Sequence, residues 1–141
     1  MLMNTAFTNK ILLSSQPQSI NAVEKLIEDL RTEFNLHEDC YGNMLVAVTE
    51  AVNNAIAHGN NFNTSKNVEV SFEVDDERIF FTIKDEGSGF DFYNIPDPTA
   101  PENLEKPTGR GIFLMKHLSD QIIFSENGRI VELYFNKHVN Q

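Results

Sequence analysis

The sequence predicts an α/β (α+β) fold, a two-layer sandwich in which a mixed, mostly antiparallel sheet is covered on one face by three helices. Residues 67–74 and 78–84 alternate apolar and polar side chains, which is typical of strands with one buried face. Residues 19–34 repeat apolar side chains at the three-and-four spacing of a helix. Short turn-forming segments separate these elements, so the elements can pack together in one domain.

The first half of the chain predicts a strand and two helices. Residues 7–14 are expected to form an edge strand, and Ser15-Gln16-Pro17 then interrupts the chain. Ser19 is placed to cap the helix over 19–34. A second helix is expected from His37 or Glu38 to about His58, with an apolar stripe that leaves polar residues on its flank.

The second half predicts four strands and one helix. The turn Asp75-Asp76-Glu77 joins the two alternating strands, and Asn127-Gly128 is a strong hairpin signal between the last two. The expected elements here are strands 67–74 and 78–84, a short helix at 110–119, and strands 121–126 and 129–135.

Composition limits the classes of function. The 141 residues suit one domain over 1–141, and a formal charge of −10 argues against binding nucleic acid or an anionic membrane. Cys40 is the only cysteine, so no intramolecular disulfide forms. Because no apolar run approaches the length of a membrane span, we expect a cytoplasmic protein.

The segment 50–60, EAVNNAIAHGN, is the most informative stretch of the chain. It places Glu50, Asn54 and His58 four residues apart, so a helix would align a carboxylate, an amide and an imidazole along one stripe. Such a stripe offers a general base beside an oxygen ligand for magnesium and phosphate. A solvated polar face is the competing interpretation, since surface helices carry such stripes.

Two glycine pairs follow. Gly87 and Gly89 stand in DEGSG at a strand end, where Asp85 could accept a hydrogen bond from an exocyclic amine. An ordinary strand-ending turn is the alternative. Gly109 and Gly111 stand in TGRGIFL, where a helix start can bind an anion.

Four of the five prolines lie within 96–107, which indicates an irregular connection. The glycine pair that follows favours a functional lid, at about 90–110. No P-loop motif occurs in the sequence, and the dinucleotide-binding fingerprint is also absent.

The order of these motifs resembles the histidine-kinase-like ATPase superfamily, which has the Bergerat nucleotide-binding fold. The resemblance covers residues 7–135. It is greatest to the small anti-sigma factor serine/threonine-protein kinases of bacterial partner-switching systems, because of the single-domain length, the segment TEAVNNAIAHGN and the lid segment DPTAPENLEKPTGRGIFLMKHLSD.

The resemblance implies ATP and Mg²⁺ as cofactors and assigns roles to the stripe on the second helix. Asn54 would be the magnesium ligand, and Glu50 the general base that activates the attacking hydroxyl. His58 would shape the helix end with Gly59 and Asn60.

The resemblance also implies roles for the later motifs. Asp85 would bind the adenine amine, assisted by Gly87 and Gly89. The lid and the helix start would surround the phosphates through Thr108, Gly109, Arg110 and Gly111.

One position departs from the family pattern. Relatives often have a threonine after the glycine of the last hairpin, near the adenine, whereas this chain has Gly128-Arg129. The secondary contact to adenine is therefore in doubt.

The function implied by the resemblance is phosphorylation of an antagonist protein coupled to sequestering a sigma factor, with a homodimer left open. An ATP-gated interaction module that transfers nothing is the alternative. The catalytic domain of a sensor histidine kinase fits poorly, because no helical segment with a phosphoacceptor histidine precedes the domain.

Overall fold

The computed structural model describes residues 7–87 and 107–137, and the side chains of 9–87 and 110–137. Eight helices and strands make up these ranges: β1 (Phe7–Ser14), α1 (Ile20–Glu33), α2 (Glu38–Asn54), β2 (Asn67–Val74), β3 (Arg78–Lys84), α3 (Pro107–Leu118), β4 (Gln121–Ser125) and β5 (Ile130–Asn136). Residues 88–106 lie outside the described residues, and they include Gly89 and most of the lid predicted at about 90–110.

The strands form one sheet in the order β1-β2-β3-β5-β4. All four pairings between these strands are antiparallel. The sequence predicts a mixed, mostly antiparallel sheet, and the strands that the structure describes pair only in the antiparallel direction. β1 is an edge strand, as predicted.

One face of the sheet carries the helices. Alternate residues of β2, β3 and β5 are buried in a single cluster with apolar residues of α1, α2 and α3. The opposite face is mostly polar, although Phe80 and Tyr134 stack there with ring centroids 4.9 Å apart. The predicted strands 67–74 and 78–84 agree with β2 and β3 because this alternation reflects one buried face.

Both long helices begin close to their predicted starts. Ser19 occupies the N-cap position of α1, as predicted, but its side chain makes no capping hydrogen bond. A short 3₁₀ turn, Pro17–Ser19, precedes α1, and the Ser19 hydroxyl donates to the Ser14 carbonyl at 2.7 Å. At the start of α2, the His37 side chain makes a capping hydrogen bond, because its Nδ1 accepts from the Asp39 amide at 3.1 Å.

The predicted second helix reaches His58 but changes form on the way. After Asn54 the chain makes a π-helical turn, Ala55–Gly59, which the Asn60 amide closes by donating to the Ala55 carbonyl at 2.8 Å. A π-helical turn has one extra residue, so it displaces the residues that follow it, and such turns often occur at functional sites.

α3 and the last hairpin differ from prediction at their ends. α3 begins at Pro107, three residues before the predicted start, since proline is well accommodated in the first turn of a helix. The loop between β4 and β5 has four residues, because Ser125 pairs with Ile130. Glu126, Asn127 and Gly128 all have positive φ, which turns this loop tightly.

Among the described residues, the structure has no helix with the length and apolar composition needed to cross a membrane.

Candidate active site

α2 and α3 bring the predicted base and the predicted metal ligand together. If Gly111 carried a Cβ, that atom would lie 2.9 Å from Glu50 Oε2 and 3.1 Å from Asn54 Nδ2. The carboxylate and the amide therefore lie beneath the first turns of α3, and only a glycine leaves space above both. The structure thus joins the first and third sequence motifs in one place, which we call the phosphate end.

The nitrogen of the Asn54 side-chain amide has no hydrogen-bond partner in the part of the chain that the structure describes. This atom, Nδ2, is buried. An unsatisfied buried donor costs about 1–3 kcal/mol, so proteins rarely keep one without a reason. An asparagine amide presents both a donor and an acceptor, and can therefore serve a phosphate oxygen or a cation.

This donor set fits a magnesium ion that is bound together with phosphates. The described residues contain no cluster of three or more acidic, histidine or cysteine side chains that could hold a metal alone. Magnesium in phosphoryl-transfer sites usually takes one or two protein oxygens and completes its shell with phosphate and water. Asn54 Oδ1 and the Glu50 carboxylate offer such oxygens, and the unpartnered Asn54 Nδ2 can donate a hydrogen bond to a phosphate oxygen.

The predicted adenine-binding carboxylate lies at the other end of the site, which we call the base end. Asp85 directly follows β3, and its amide donates to the Arg129 carbonyl at 3.0 Å. Its Oδ1 accepts a hydrogen bond from the Gly87 amide at 2.8 Å. The carboxyl group packs so closely on Gly59 that a Cβ there would overlap it.

Gly59 and Gly87 are needed for contacts within the protein. A Cβ on Gly87 would overlap the Gly59 carbonyl oxygen. The sequence predicts that the glycines after Asp85 let the backbone pass close to a ligand, and this stays a prediction. The close approach that the structure shows for Gly87 is to Gly59, at the end of the π-helical turn.

The environment of Asp85 changes its acidity. Burial raises the pKa of the Asp85 carboxyl, because desolvation disfavours the charged form. The Gly87 amide, Arg129 and Lys66 oppose this rise in pKa. When it is ionised, such a partly buried carboxylate accepts hydrogen bonds and donates none, so it favours a ligand amine over a ligand carbonyl.

A cleft of about 390 Å³, including the solvent at its mouth, connects the two ends. Asp85, Asn54 and the exposed His58 contribute polar groups to its lining. Pockets for flat aromatic ligands are typically apolar with a few polar groups that fix orientation. The apolar walls come from Ala51, Ala55, Ile83, Met115, Phe124 and Val131.

Asn60 is a structural residue whose role sequence reasoning missed. Its side chain is 1% exposed, and its Nδ2 donates to Ser15 Oγ at 2.9 Å and to the Asn67 carbonyl at 3.1 Å. Its Oδ1 accepts a hydrogen bond from the Glu86 amide at 2.8 Å. Asn60 therefore joins the end of α2 to the beginning of β2 and to the segment that carries Asp85.

The remaining predicted residues are only partly described. Arg110 is exposed in the first turns of α3. Thr108 and Gly109 belong to the same helix, but the surroundings of the Thr108 side chain lie outside the described part of the structure. Arg129, Met115 and Phe124 line the cleft without having been predicted to do so.

Comparison with known proteins identifies the family to which this chain is similar. Residues 13–135 match the model of the histidine kinase-like ATPase domain. The chain is 26% identical over 114 residues to the serine-protein kinase RsbW of Oceanobacillus iheyensis, covering 77% of this chain and 72% of that protein. It is 36% identical over 97 residues to the anti-sigma F factor of Geobacillus kaustophilus, covering 65% of each.

A solved structure has the same fold. The crystal structure of the RsbU and RsbW domains of a Mycobacterium tuberculosis protein matches with a TM-score of 0.66 at 14% identity, over 96% of this chain and 34% of that one. At this identity the match shows the fold alone. Since the family model extends from β1 to β5, the chain belongs to the histidine kinase-like ATPase domain family.

Proposed function

We propose that this protein is an ATP- and Mg²⁺-dependent serine/threonine-protein kinase that phosphorylates an antagonist protein and sequesters a sigma factor. The main support for the proposal is Asn54 Nδ2, which has no partner among the described residues and lies beside the Glu50 carboxylate, beneath Gly111. The names of the two curated relatives, a serine-protein kinase and an anti-sigma F factor, support it.

In this proposal Asp85 selects the base. An ionised carboxylate only accepts hydrogen bonds, so it favours the 6-amino group of adenine over the 6-oxo group of guanine. The Gly87 amide fixes the orientation of the carboxylate through Oδ1. The apolar walls of the cleft would hold the base in the plane of that carboxylate.

At the other end, Asn54 and Glu50 would hold and activate the reacting groups. Bound Mg²⁺ would neutralise charge on the phosphates. Asn54 would hold it through the side-chain oxygen Oδ1. Thr108, Gly109 and Arg110 belong to the proposed site as lid and phosphate contacts, and His58 and Gly59 as the helix end that borders the cleft. Gly89 belongs to the other end of the proposed site, where with Gly87 it would assist Asp85.

Glu50 would act as general base. Its carboxylate takes the proton from the serine or threonine hydroxyl of the antagonist while the hydroxyl oxygen forms a bond to the γ-phosphorus. The bond between the γ-phosphorus and the β–γ bridging oxygen breaks, and ADP leaves with that oxygen. Positioning and charge neutralisation provide most of the catalysis in such a reaction.

The partners and location belong to the same proposal. A sigma factor and an antagonist protein are the proposed partners, and the cytoplasm is the proposed location. A homodimer remains part of the proposal, and the mass of the protein in solution tests it.

The direct test combines the protein with γ-labelled ATP, Mg²⁺ and a candidate antagonist. We expect label on one serine or threonine of the antagonist, and no label when that residue is changed to alanine. ATP binding without any transfer to the antagonist would instead favour the ATP-gated interaction module.

A further inference from the structure

The backbone that carries Asp85 is held on both sides of that residue. The Asp85 amide donates to the Arg129 carbonyl at 3.0 Å, and the next amide along the chain, that of Glu86, donates to Asn60 Oδ1 at 2.8 Å. Because peptide groups are planar, holding both of them sets the backbone dihedral angles of Asp85 and the direction of its side chain. The first of these hydrogen bonds joins two backbone groups, whereas the second depends on the Asn60 side chain.

Asn60 has little freedom to move. It is 1% exposed, and its Nδ2 donates to Ser15 Oγ at 2.9 Å and to the Asn67 carbonyl at 3.1 Å. Ser15 is 0% exposed, and its hydroxyl donates in turn to the Lys66 carbonyl at 2.7 Å. The nitrogen and the oxygen of the Asn60 amide are thus both bonded, so the amide cannot rotate without breaking several buried hydrogen bonds.

A second contact strengthens the connection between Asn60 and the segment of Asp85. The Asn67 amide donates to the Glu86 carboxylate, while the Asn67 carbonyl accepts from Asn60. Asn60, Asn67 and Glu86 therefore form a closed ring of hydrogen bonds. The cleft is lined by Gly59 and Asp85, the residues immediately before Asn60 and Glu86. Because the Asn60 side chain is buried in this ring, its route to a ligand runs through Asp85.

We propose that Asn60 is a positioning residue for base selection, which holds the Glu86 amide and thereby directs the Asp85 carboxylate toward the 6-amino group of adenine. The inference deepens the proposed function and rests on it, since it requires Asp85 to bind the base. A hydrogen bond weakens steeply when its donor and acceptor leave a straight line. A small shift of the Asp85 backbone would therefore weaken the contact with the amine, although the carboxylate itself is unchanged.

The test compares the affinities for ATP and for purine riboside 5′-triphosphate, which lacks the 6-amino group. We expect the wild-type protein to prefer ATP. In Asn60→Ala the affinity for ATP should fall about 3- to 10-fold, which corresponds to one hydrogen bond. The affinity for purine riboside 5′-triphosphate should stay within about 2-fold, because this ligand has no amine for Asp85 to accept from. The ratio of the two affinities separates positioning from a general loss of structure, which would weaken both ligands equally.

Asn60→Ser is the second variant. Its shorter side chain also leaves the Glu86 amide without the Oδ1 acceptor, and it keeps a polar group at the buried position. We expect the same loss of preference for ATP, so either variant that folds tests the inference. Circular dichroism of each variant without nucleotide establishes that it is folded at the temperature of the binding measurement.

Ser15→Ala is the matched control, since Ser15 is as buried as Asn60 and belongs to the same hydrogen-bond network. This change leaves the bond between Asn60 Oδ1 and the Glu86 amide in place, so it should lower the unfolding temperature but keep the wild-type preference for ATP. Equal losses for both nucleotides in Asn60→Ala, or an unchanged preference, would overturn the inference and leave Asn60 a structural role alone. A wild-type protein without a preference for ATP would instead overturn the proposed role of Asp85.

Discussion

The two ends of the cleft differ in how completely the protein satisfies its own polar groups. At the base end, Asp85 is bonded to Gly87, its backbone is bonded to Arg129, and Asn60 connects the surrounding segments. At the phosphate end, the Asn54 amide is buried without a partner among the described residues. In the proposed function, the base end is therefore built before ligand arrives, whereas bound phosphates and metal would complete the phosphate end.

The largest effect should come from the phosphate end. Glu50→Gln keeps the size of the side chain but removes the base, so we expect phosphoryl transfer to fall about 10²- to 10⁴-fold. ATP affinity should change by no more than about 2-fold, because the base acts on the attacking hydroxyl. Single-turnover transfer and equilibrium binding, measured on the same samples, separate the two quantities.

Glu24→Gln is the control for the charge change, since Glu24 is exposed on α1. An unimpaired rate in Glu50→Gln would remove Glu50 from the proposed catalytic role.

Replacing Gly87 should destabilise the base end. In Gly87→Ala the new Cβ meets the backbone carbonyl of Gly59, which cannot move without shifting the end of α2. We expect the free energy of unfolding to fall by about 1–3 kcal/mol, together with ATP affinity. Gly42→Ala is the matched control: its Cβ meets nothing within 4 Å, so this change in α2 should stabilise by up to about 1 kcal/mol. Equal stability of the two variants would show that the contact between Gly87 and Gly59 is not a tight one.

The same substitution at the phosphate end should act differently. In Gly111→Ala the Cβ meets the ends of the Glu50 and Asn54 side chains, which can rotate away. We expect the free energy of unfolding to stay within about 1 kcal/mol of wild type, because alanine also favours the helix. ATP affinity in the presence of Mg²⁺ should fall by about 10-fold, since both polar groups are displaced. A variant that binds ATP normally would contradict the placement of the phosphates beneath Gly111.

The acidity of Asp85 predicts a smaller, pH-dependent effect. In the proposed function the ionised carboxylate would accept a hydrogen bond from the adenine amine, so this contact would exist above the pKa of Asp85 and would be lost as pH falls through it. Because burial raises that pKa, the loss should begin at a higher pH than for an exposed aspartate. Asp85→Asn should bind ATP more weakly and should not show this decline. An identical acid decline in both proteins would assign it to another group, such as the ATP phosphates.

Much of the fold could be predicted, because local sequence patterns indicate most of its strands and helices. The alternation in 67–74 and 78–84 predicted both strands, and the helical spacing of 19–34 predicted α1. The start of α3 could not be predicted in the same way, because Pro107 is compatible both with an irregular loop and with the first turn of a helix.

The site was predictable only where its residues lie close together in sequence. Glu50 and Asn54 are one helical turn apart, so their alignment follows from helical geometry. The partners of Asn60 are distant along the chain, and no local pattern indicates them. The contact between Gly59 and Gly87 likewise depends on the packing of α2 against the end of β3.

The most direct test of the difference between the two ends is thermal unfolding of wild type and Asn54→Ala, each with and without ATP and Mg²⁺. Without ligand we expect Asn54→Ala to be at least as stable as wild type, because it removes a buried unsatisfied donor and favours the helix. With ligand we expect wild type to be stabilised and the variant to lose most of that stabilisation.

Asn53→Ala is the control, since the exposed Asn53 is its neighbour on α2 and should retain the full stabilisation by ligand. A destabilised Asn54→Ala protein that keeps the wild-type stabilisation by ATP and Mg²⁺ would contradict the account, because the amide would then serve the fold and not the ligand.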